Sequence, residues 1–160
     1  MKNLLVIGAG GYGRNVKEIA AACGYEEVDF LDDGNPAAVG TTDQLERFQG
    51  MYERCVVAVG NPVVREALAA RIQNPGTLVH PTAVVSPSAE LGSGCVIEAN
   101  AVVGCGAKVG AFSYVCAGAV VNHDATVGAY CQVDCNAVVA SGTKVPAGTK
   151  VCSCTVWTEK

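Results

Sequence analysis

Val115-Cys116-Ala117-Gly118-Ala119-Val120-Val121-Asn122-His123-Asp124-Ala125-Thr126-Val127 sets an aliphatic residue at every sixth position, Val115, Val121 and Val127. A small residue follows four places after each start, at Ala119 and Ala125. The rhythm runs back through Val109, Val103, Ile97, Leu91 and Val85 to Val79, and forward through Val133, Val139 and Val145 to Val151. The small series runs from Ala83 to Thr155 and admits only Ala, Cys, Ser and Thr. A six-residue unit supplies one short strand and one corner. Three units close a coil, so residues eighteen apart stack at the inter-strand spacing of roughly 4.8 Å. The aliphatic residue points inward, and the small one lets the chain bend inward at the corner. The reading is an all-β parallel solenoid over residues 78–160, with Val156 and Trp157 available to cap its end.

Residues 1–77 follow a different grammar. They hold 17 of the 26 charged side chains. Leu4-Leu5-Val6-Ile7, Val28-Asp29-Phe30-Leu31 and Cys55-Val56-Val57-Ala58-Val59 read as strands. Val16, Ile19, Ala20 and Cys23 fall at helical spacing, with Gly24 at the helix end. Thr42 is the expected N-cap of a short helix holding Leu45 and Phe48. Pro62 opens a third helix whose apolar face is Val64, Ala67, Leu68 and Ile72. Alternating strands and helices imply a small parallel α/β domain.

Between the first strand and first helix lies Gly8-Ala9-Gly10-Gly11-Tyr12-Gly13, and Asp32 and Asp33 close the second strand. The spacing matches a dinucleotide fingerprint: backbone N–H groups at a helix start attract phosphate, and an acidic residue can bind ribose hydroxyls. Three readings are open at this point: NAD(P) binding, nucleotide-sugar binding, and a tight turn that needs glycine only for packing. About 77 residues make half of a full dinucleotide-binding domain, and no domain for hydride transfer follows.

Composition narrows the classes. The chain has 160 residues, 50% hydrophobic and 16% charged, with net charge −4. No Lys/Arg cluster supports nucleic-acid binding. No apolar run approaches the ~18 residues of a membrane span, and the start lacks a signal-peptide core. The expectation is a cytoplasmic protein whose nine cysteines stay reduced. Cys95 and Cys131 sit at small inward positions. Cys116, Asp134 and Cys152 share a stacked column, but without metal-ligand spacing or a nearby His, and no metal is expected.

Of two histidines, His80 suits a corner of the first coil. His123 lies between Asn122 and Asp124. Its stacked neighbours are Cys105 and Ser141, and those of Asp124 are Gly106 and Gly142. The triplet thus borders a recess on a bland wall. Imidazole is the natural base near neutral pH, and an adjacent carboxylate can orient it. The bland alternative is a surface His–Asp pair.

The hexapeptides resemble the left-handed parallel β-helix acyltransferases. Val6 to Gly13, Gly24 to Asp33, Ala58-Val59-Gly60-Asn61, Leu78-Val79-His80-Pro81 and Asn122-His123-Asp124 occur in the order of the bacterial sugar O-/N-acyltransferases. Those include UDP-4-amino-sugar N-acetyltransferase and sialic acid O-acetyltransferase. The resemblance implies a Rossmann-like N-terminal domain, a left-handed solenoid, a homotrimer, and acetyl-CoA as co-substrate in the groove between neighbouring solenoids. It makes His123 the general base and Asp124 its partner. It sets Gly10, Gly11 and Tyr12 near the diphosphate of a nucleotide sugar, Asp32 and Asp33 at the uridine or sugar end, and Gly60 and Asn61 at the pocket border. Gln132, Ser141 and Gly142 are the expected acetyl-CoA contacts, with the Gly142 N–H facing the oxyanion. Many relatives carry His at the Tyr12 and Gln132 positions. The implied reaction is acetyl transfer to an amine or hydroxyl of a nucleotide-linked sugar. Its alternatives are an NAD(P)-dependent oxidoreductase and a non-catalytic trimeric sugar-binding scaffold.

Overall fold

The structure, a computed structural model, describes residues 2–159. It consists of two compact units that divide after Gly76.

In the first unit, β1 (Asn3–Ile7), β2 (Glu27–Leu31) and β3 (Arg54–Val57) form a parallel sheet in the order β2-β1-β3. Leu4, Leu5, Val6 and Ile7 are buried, as a central strand covered on both faces requires. Helix α1 (Gly11–Ala22) buries Val16, Ile19 and Ala20. It ends at Gly24, whose φ of 84° suits glycine. The short helix α2 (Leu45–Phe48) follows a 3₁₀ turn capped by Thr41, not by the expected Thr42. The Thr42 hydroxyl instead donates to Asp33 Oδ2 at 3.0 Å.

Helix α3 (Pro62–Ala69) has a different phase from the one its apolar residues suggest. Arg65, Leu68 and Ala69 are buried, while Val64 is 44% exposed. Arg65 Nη1 donates to the Val59 carbonyl at 3.0 Å, so a buried guanidinium ties the helix to the end of its own strand. One charge-assisted bond of this kind outweighs a Val methyl pair in setting which face turns inward.

The second unit is a parallel β-solenoid. Its first wall is built from strands Leu78–Val79, Val96–Ile97, Tyr114–Val115, Gln132–Val133 and Lys150–Val151. The second holds Val84–Val85, Val102–Val103, Val120–Val121, Val138–Val139 and Val156–Trp157. The third holds Glu90–Leu91, Lys108–Val109, Thr126–Val127 and Lys144–Val145. Every pairing joins residues eighteen apart, such as Val103 with Val121 and Val121 with Val139. From Val85 onward the second residue of each strand packs on the core, whereas Val79, the expected first member of the series, is exposed; the small residues fill the corners, and Cys95, Ala101, Ala119, Ala125 and Cys131 are all fully buried. Each buried Val or Ile contributes about 1.5–3 kcal/mol.

Cys and Ser replace Ala at some corners for a visible reason. Ser113 Oγ donates to the Gly128 carbonyl at 2.8 Å, and Cys131 Sγ to the Pro146 carbonyl at 3.0 Å. Burial pushes the Cys95 thiol up to about 11, so it stays protonated. Trp157 takes the inward position of the last rung, packs on the core, and donates from Nε1 to the Lys144 carbonyl at 2.8 Å. Outward-facing positions differ by wall. The second wall presents five valines in a row, Val84, Val102, Val120, Val138 and Val156. The third presents Glu90, Lys108, Thr126 and Lys144, with a Lys108–Glu90 ion pair at 3.2 Å.

Candidate functional site

Two groups of chemistry-bearing residues stand out, one in each unit.

In the first unit the loops after β1, β2 and β3 meet at the carboxyl edge of the sheet. Strand order reverses between β1 and β3, which is where open α/β sheets leave a crevice for ligands. Gly8, at φ 106°, lies so close to the β3 end that an added Cβ would come within 2.7 Å of the Ala58 carbonyl oxygen. Gly13 packs α1 against the same loop, and a Cβ there would overlap the Gly8 carbonyl oxygen. These contacts hold the glycine loop against the segment that follows β3. No acidic residue lies in the first turn of α1, and its N-cap Gly10 has no side chain to offer, so the helix start can receive an anion. The Asn61 side chain has a structural job: its Oδ1 accepts from Val63 N–H at 2.9 Å and caps α3.

Asp32 and Asp33 organise the loop after β2. Asp32 accepts from Ala9 N–H at 2.8 Å and Gly34 N–H at 2.9 Å. Asp33 accepts from Thr42 N–H at 2.8 Å. Both line a pocket of about 370 Å³ with Asn35, Pro36, Gly40 and Thr41. The backbone N–H of Ala9, then that of Gly34, holds the Asp32 carboxyl below its ordinary value. A depressed value stabilises the folded loop fully above the unfolded carboxylate range, about 3.9, and the gain disappears as pH falls through the folded value. Amide protection at Ala9 and Gly34, the exchange rate divided into its intrinsic value, should therefore fall on acidification in the wild type. In Asp32→Asn it should stay independent of pH once the intrinsic rate is divided out.

In the second unit, residues 122–124 form the turn that leaves the second wall. Asp124 adopts the left-handed conformation, φ 60°, which Asp tolerates better than most residues. This geometry folds its carboxylate back onto the preceding ring: His123 Nδ1 lies 2.9 Å from Asp124 Oδ2. Both side chains are exposed, at 59% and 71%. Asn122 Oδ1 accepts from His123 N–H at 2.8 Å and fixes the turn. Beneath lie two glycines, Gly104 and Gly106, at the stacked positions that the sequence assigns to Asn122 and Asp124. A Cβ at Gly106 would come within 2.6 Å of Asp124 Oδ1, and one at Gly104 within 2.8 Å of His123 N. The eighteen-residue offset is the signal that finds them. Gly106→Ala should displace the carboxylate and lower turnover roughly 10- to 100-fold, with the solenoid still folded by circular dichroism.

Two expected contacts look different in three dimensions. The Gly142 N–H donates to the His123 carbonyl at 3.1 Å, inside the coil-to-coil ladder, and so does not point at an oxyanion. Ser141 is exposed on the next turn, directly stacked on His123. Gln132 belongs to the first wall, where its Nε2 lies 4.0 Å from Cys116 Sγ; within one copy it does not meet His123. His80 turns into its own corner, with Nδ1 2.9 Å from Thr82 Oγ1. Among the described residues no group of three or more His, Cys, Asp or Glu could hold a metal ion. Among them, too, no helix is long and apolar enough to cross a membrane.

Residues 3–72 match the model of the PglD N-terminal domain family. Over 122 residues the chain is 32% identical to UDP-N-acetylbacillosamine N-acetyltransferase of Bacillus subtilis, a match covering 62% of this chain; the chain spans about half (52%) of that curated relative's length. The acetyltransferase domain of PglB from Neisseria gonorrhoeae is 32% identical, superposes with a TM-score of 0.86, and is matched over 99% of this chain and 92% of its own. A histidine-to-asparagine mutant of perosamine N-acetyltransferase from Caulobacter crescentus, solved with CoA and GDP-perosamine, is 25% identical with a TM-score of 0.86. It is matched over 99% of this chain and 90% of its own. With a PglD N-terminal domain match over residues 3–72 and 32% identity across 92% of the Neisseria domain, the chain belongs to the family of β-solenoid acetyltransferases that carry a PglD N-terminal domain.

Proposed function

We propose that the protein transfers an acetyl group from acetyl-CoA to an amine of a nucleotide-linked sugar, with His123 as general base. The observation that carries this reading is the exposed His123–Asp124 pair, at 2.9 Å, above a floor of glycines. The glycines let the turn seat directly on the coil below, because a side chain at Gly104 or Gly106 would push against the His123 backbone or the Asp124 carboxylate. The relatives point the same way. One Neisseria structure is a complex with acetyl coenzyme A, and the Caulobacter enzyme is described with CoA and GDP-perosamine.

Asp124 holds the Nδ1 side of the ring, leaving Nε2 to take the proton of the attacking amine. The same carboxylate steadies the imidazolium that results. When bound, acetyl-CoA supplies the activated acyl carbon as a thioester. Ser141, one rung beyond His123, borders the approach. At the other site the start of α1, with Gly10, Gly11 and Tyr12, receives the diphosphate. Gly60 and Asn61 border the crevice, and Asp32 and Asp33 shape the pocket for the uridine or sugar end. In this reading the first unit is a Rossmann-like half-domain and the solenoid is left-handed.

The reading includes a homotrimer. The row of five valines on the second wall is the kind of surface that a second copy covers. A neighbouring copy would also bring a first wall, with its Gln132, to the His123 corner of another. The cytoplasm, which keeps thiols reduced, suits both the exposed cysteines and a thioester substrate. A thiol-release assay with acetyl-CoA over UDP- and GDP-linked amino sugars and free sialic acid tests the activity. Release with a nucleotide amino sugar supports it. Silence across the panel removes it and favours a binding scaffold.

A further inference from the structure

The corner that carries His123 holds one more reactive group than acyl transfer requires. Cys105 stands one coil earlier at the same turn position. The two turns are bonded directly, Asp124 N–H donating to the Cys105 carbonyl at 2.9 Å, so the rungs lie roughly 4.8 Å apart. Its thiol is exposed, and Gly104 and Gly106 on either side offer no side chain to shield it. Ser88 Oγ–H donates to Cys105 Sγ at 3.3 Å. Thiol, imidazole, carboxylate and hydroxyl are thus gathered on three neighbouring rungs. The remaining exposed thiols, Cys135, Cys152 and Cys154, lie at the corner after the first wall, where no histidine occupies a neighbouring rung.

The inference rests on the proposed transfer at His123. A base within about 3 Å of the amine, and an amine within about 3.5 Å of the thioester carbon, put the CoA sulphur on the order of 6 Å from the ring. That is the neighbourhood of Cys105. We propose that Cys105 is a capture site for oxidised CoA, forming a mixed disulfide with the CoA thiol. The Cys105 thiol passes its proton to the His123 imidazole, and the thiolate attacks one sulphur of CoA disulfide. The sulphur–sulphur bond of CoA disulfide breaks and a Cys105–CoA bond forms. The second CoA leaves as thiolate and takes the proton from the ring. No electrons are gained or lost overall. The captured CoA arm fills the donor position, so transfer stops until a thiol reductant removes it.

The test incubates the full chain with CoA disulfide or, separately, glutathione disulfide, and maps the modified cysteines by mass spectrometry. With CoA disulfide, Cys105 should react about tenfold faster than Cys135, Cys152 or Cys154, because docking makes the exchange intramolecular. Glutathione disulfide should show no such preference, and desulfo-CoA should abolish the advantage. Acetyl transfer should fall in step with Cys105 modification and return with dithiothreitol, while Cys105→Ser keeps whatever rate it starts with. Equal modification of all four thiols overturns the capture site. If desulfo-CoA binds in that case, the acetyl-CoA reading stands without it; if desulfo-CoA does not bind, both fall.

Discussion

His123→Ala should lower the turnover of acetyl transfer by roughly 10²- to 10⁴-fold while leaving folding stability within about 0.5 kcal/mol of wild type. The side chain is exposed and, among the described residues, its ring pairs with the adjacent Asp124, so no core contact is lost with it. The loss should appear in kcat, with nucleotide-sugar binding unchanged, because the proposed sugar site is built from the β1, β2 and β3 loops. Asp124→Asn should cost less than removing the ring, since the amide can still orient it through its oxygen but cannot stabilise the imidazolium. Thiol release measured beside equilibrium binding of the nucleotide sugar separates these effects. Equal rates for wild type and His123→Ala would remove the base from the mechanism.

Gly13→Ala should produce the largest loss of stability of any single methyl addition in the first unit, about 3 kcal/mol or more. The new carbon would meet backbone, the carbonyl of Gly8, and that carbonyl cannot move aside. Gly8 N–H is anchored to the Leu31 carbonyl at 2.8 Å, and Gly8 itself lies against Ala58. Helix α1 must therefore lift from β1, which also displaces its Gly10–Gly11 start. Denaturant unfolding measures the loss. A nucleotide-sugar titration should show binding gone at concentrations that saturate the wild type. Unchanged stability would mean that the loop relaxes in a way its contacts do not suggest. Gly11→Ala is the useful contrast, because a Cβ there meets only the tip of the Arg14 side chain.

The solenoid was legible because its physics is periodic. A strand of two residues cannot choose its own register, but thirteen repeats of the same inward step can, and the observed pairings fall at the offset that the spacing requires. The first unit's strands were legible from their apolar runs. What escaped was set by single contacts. The phase of α3 depends on Arg65 reaching the Val59 carbonyl, and a basic residue gives no apolar signal. The cap moved from Thr42 to Thr41 because Asp33 competes for the Thr42 hydroxyl.

At the candidate site, the His–Asp dipeptide could be read directly, and its geometry could not. The glycines under the turn followed from the eighteen-residue offset, whereas the left-handed turn at Asp124 that folds its carboxylate onto the ring did not. The Gln132 position shows the same thing from the other side. Nine residues beyond His123 is one and a half units, so the two residues leave different faces of the same coil, and proximity in sequence misleads.

The bonding between coils also limits how this chain can change length. An insertion or deletion inside the second unit leaves every later rung in place only if it amounts to a whole circuit of eighteen residues. A loss of six would hand the third face's lysines to the valine face and carry the imidazole around the corner. Growth by a whole circuit would re-pair only the rungs that flank the insertion and keep every later residue on its own face, whereas any other change in length would move every later residue to a new face.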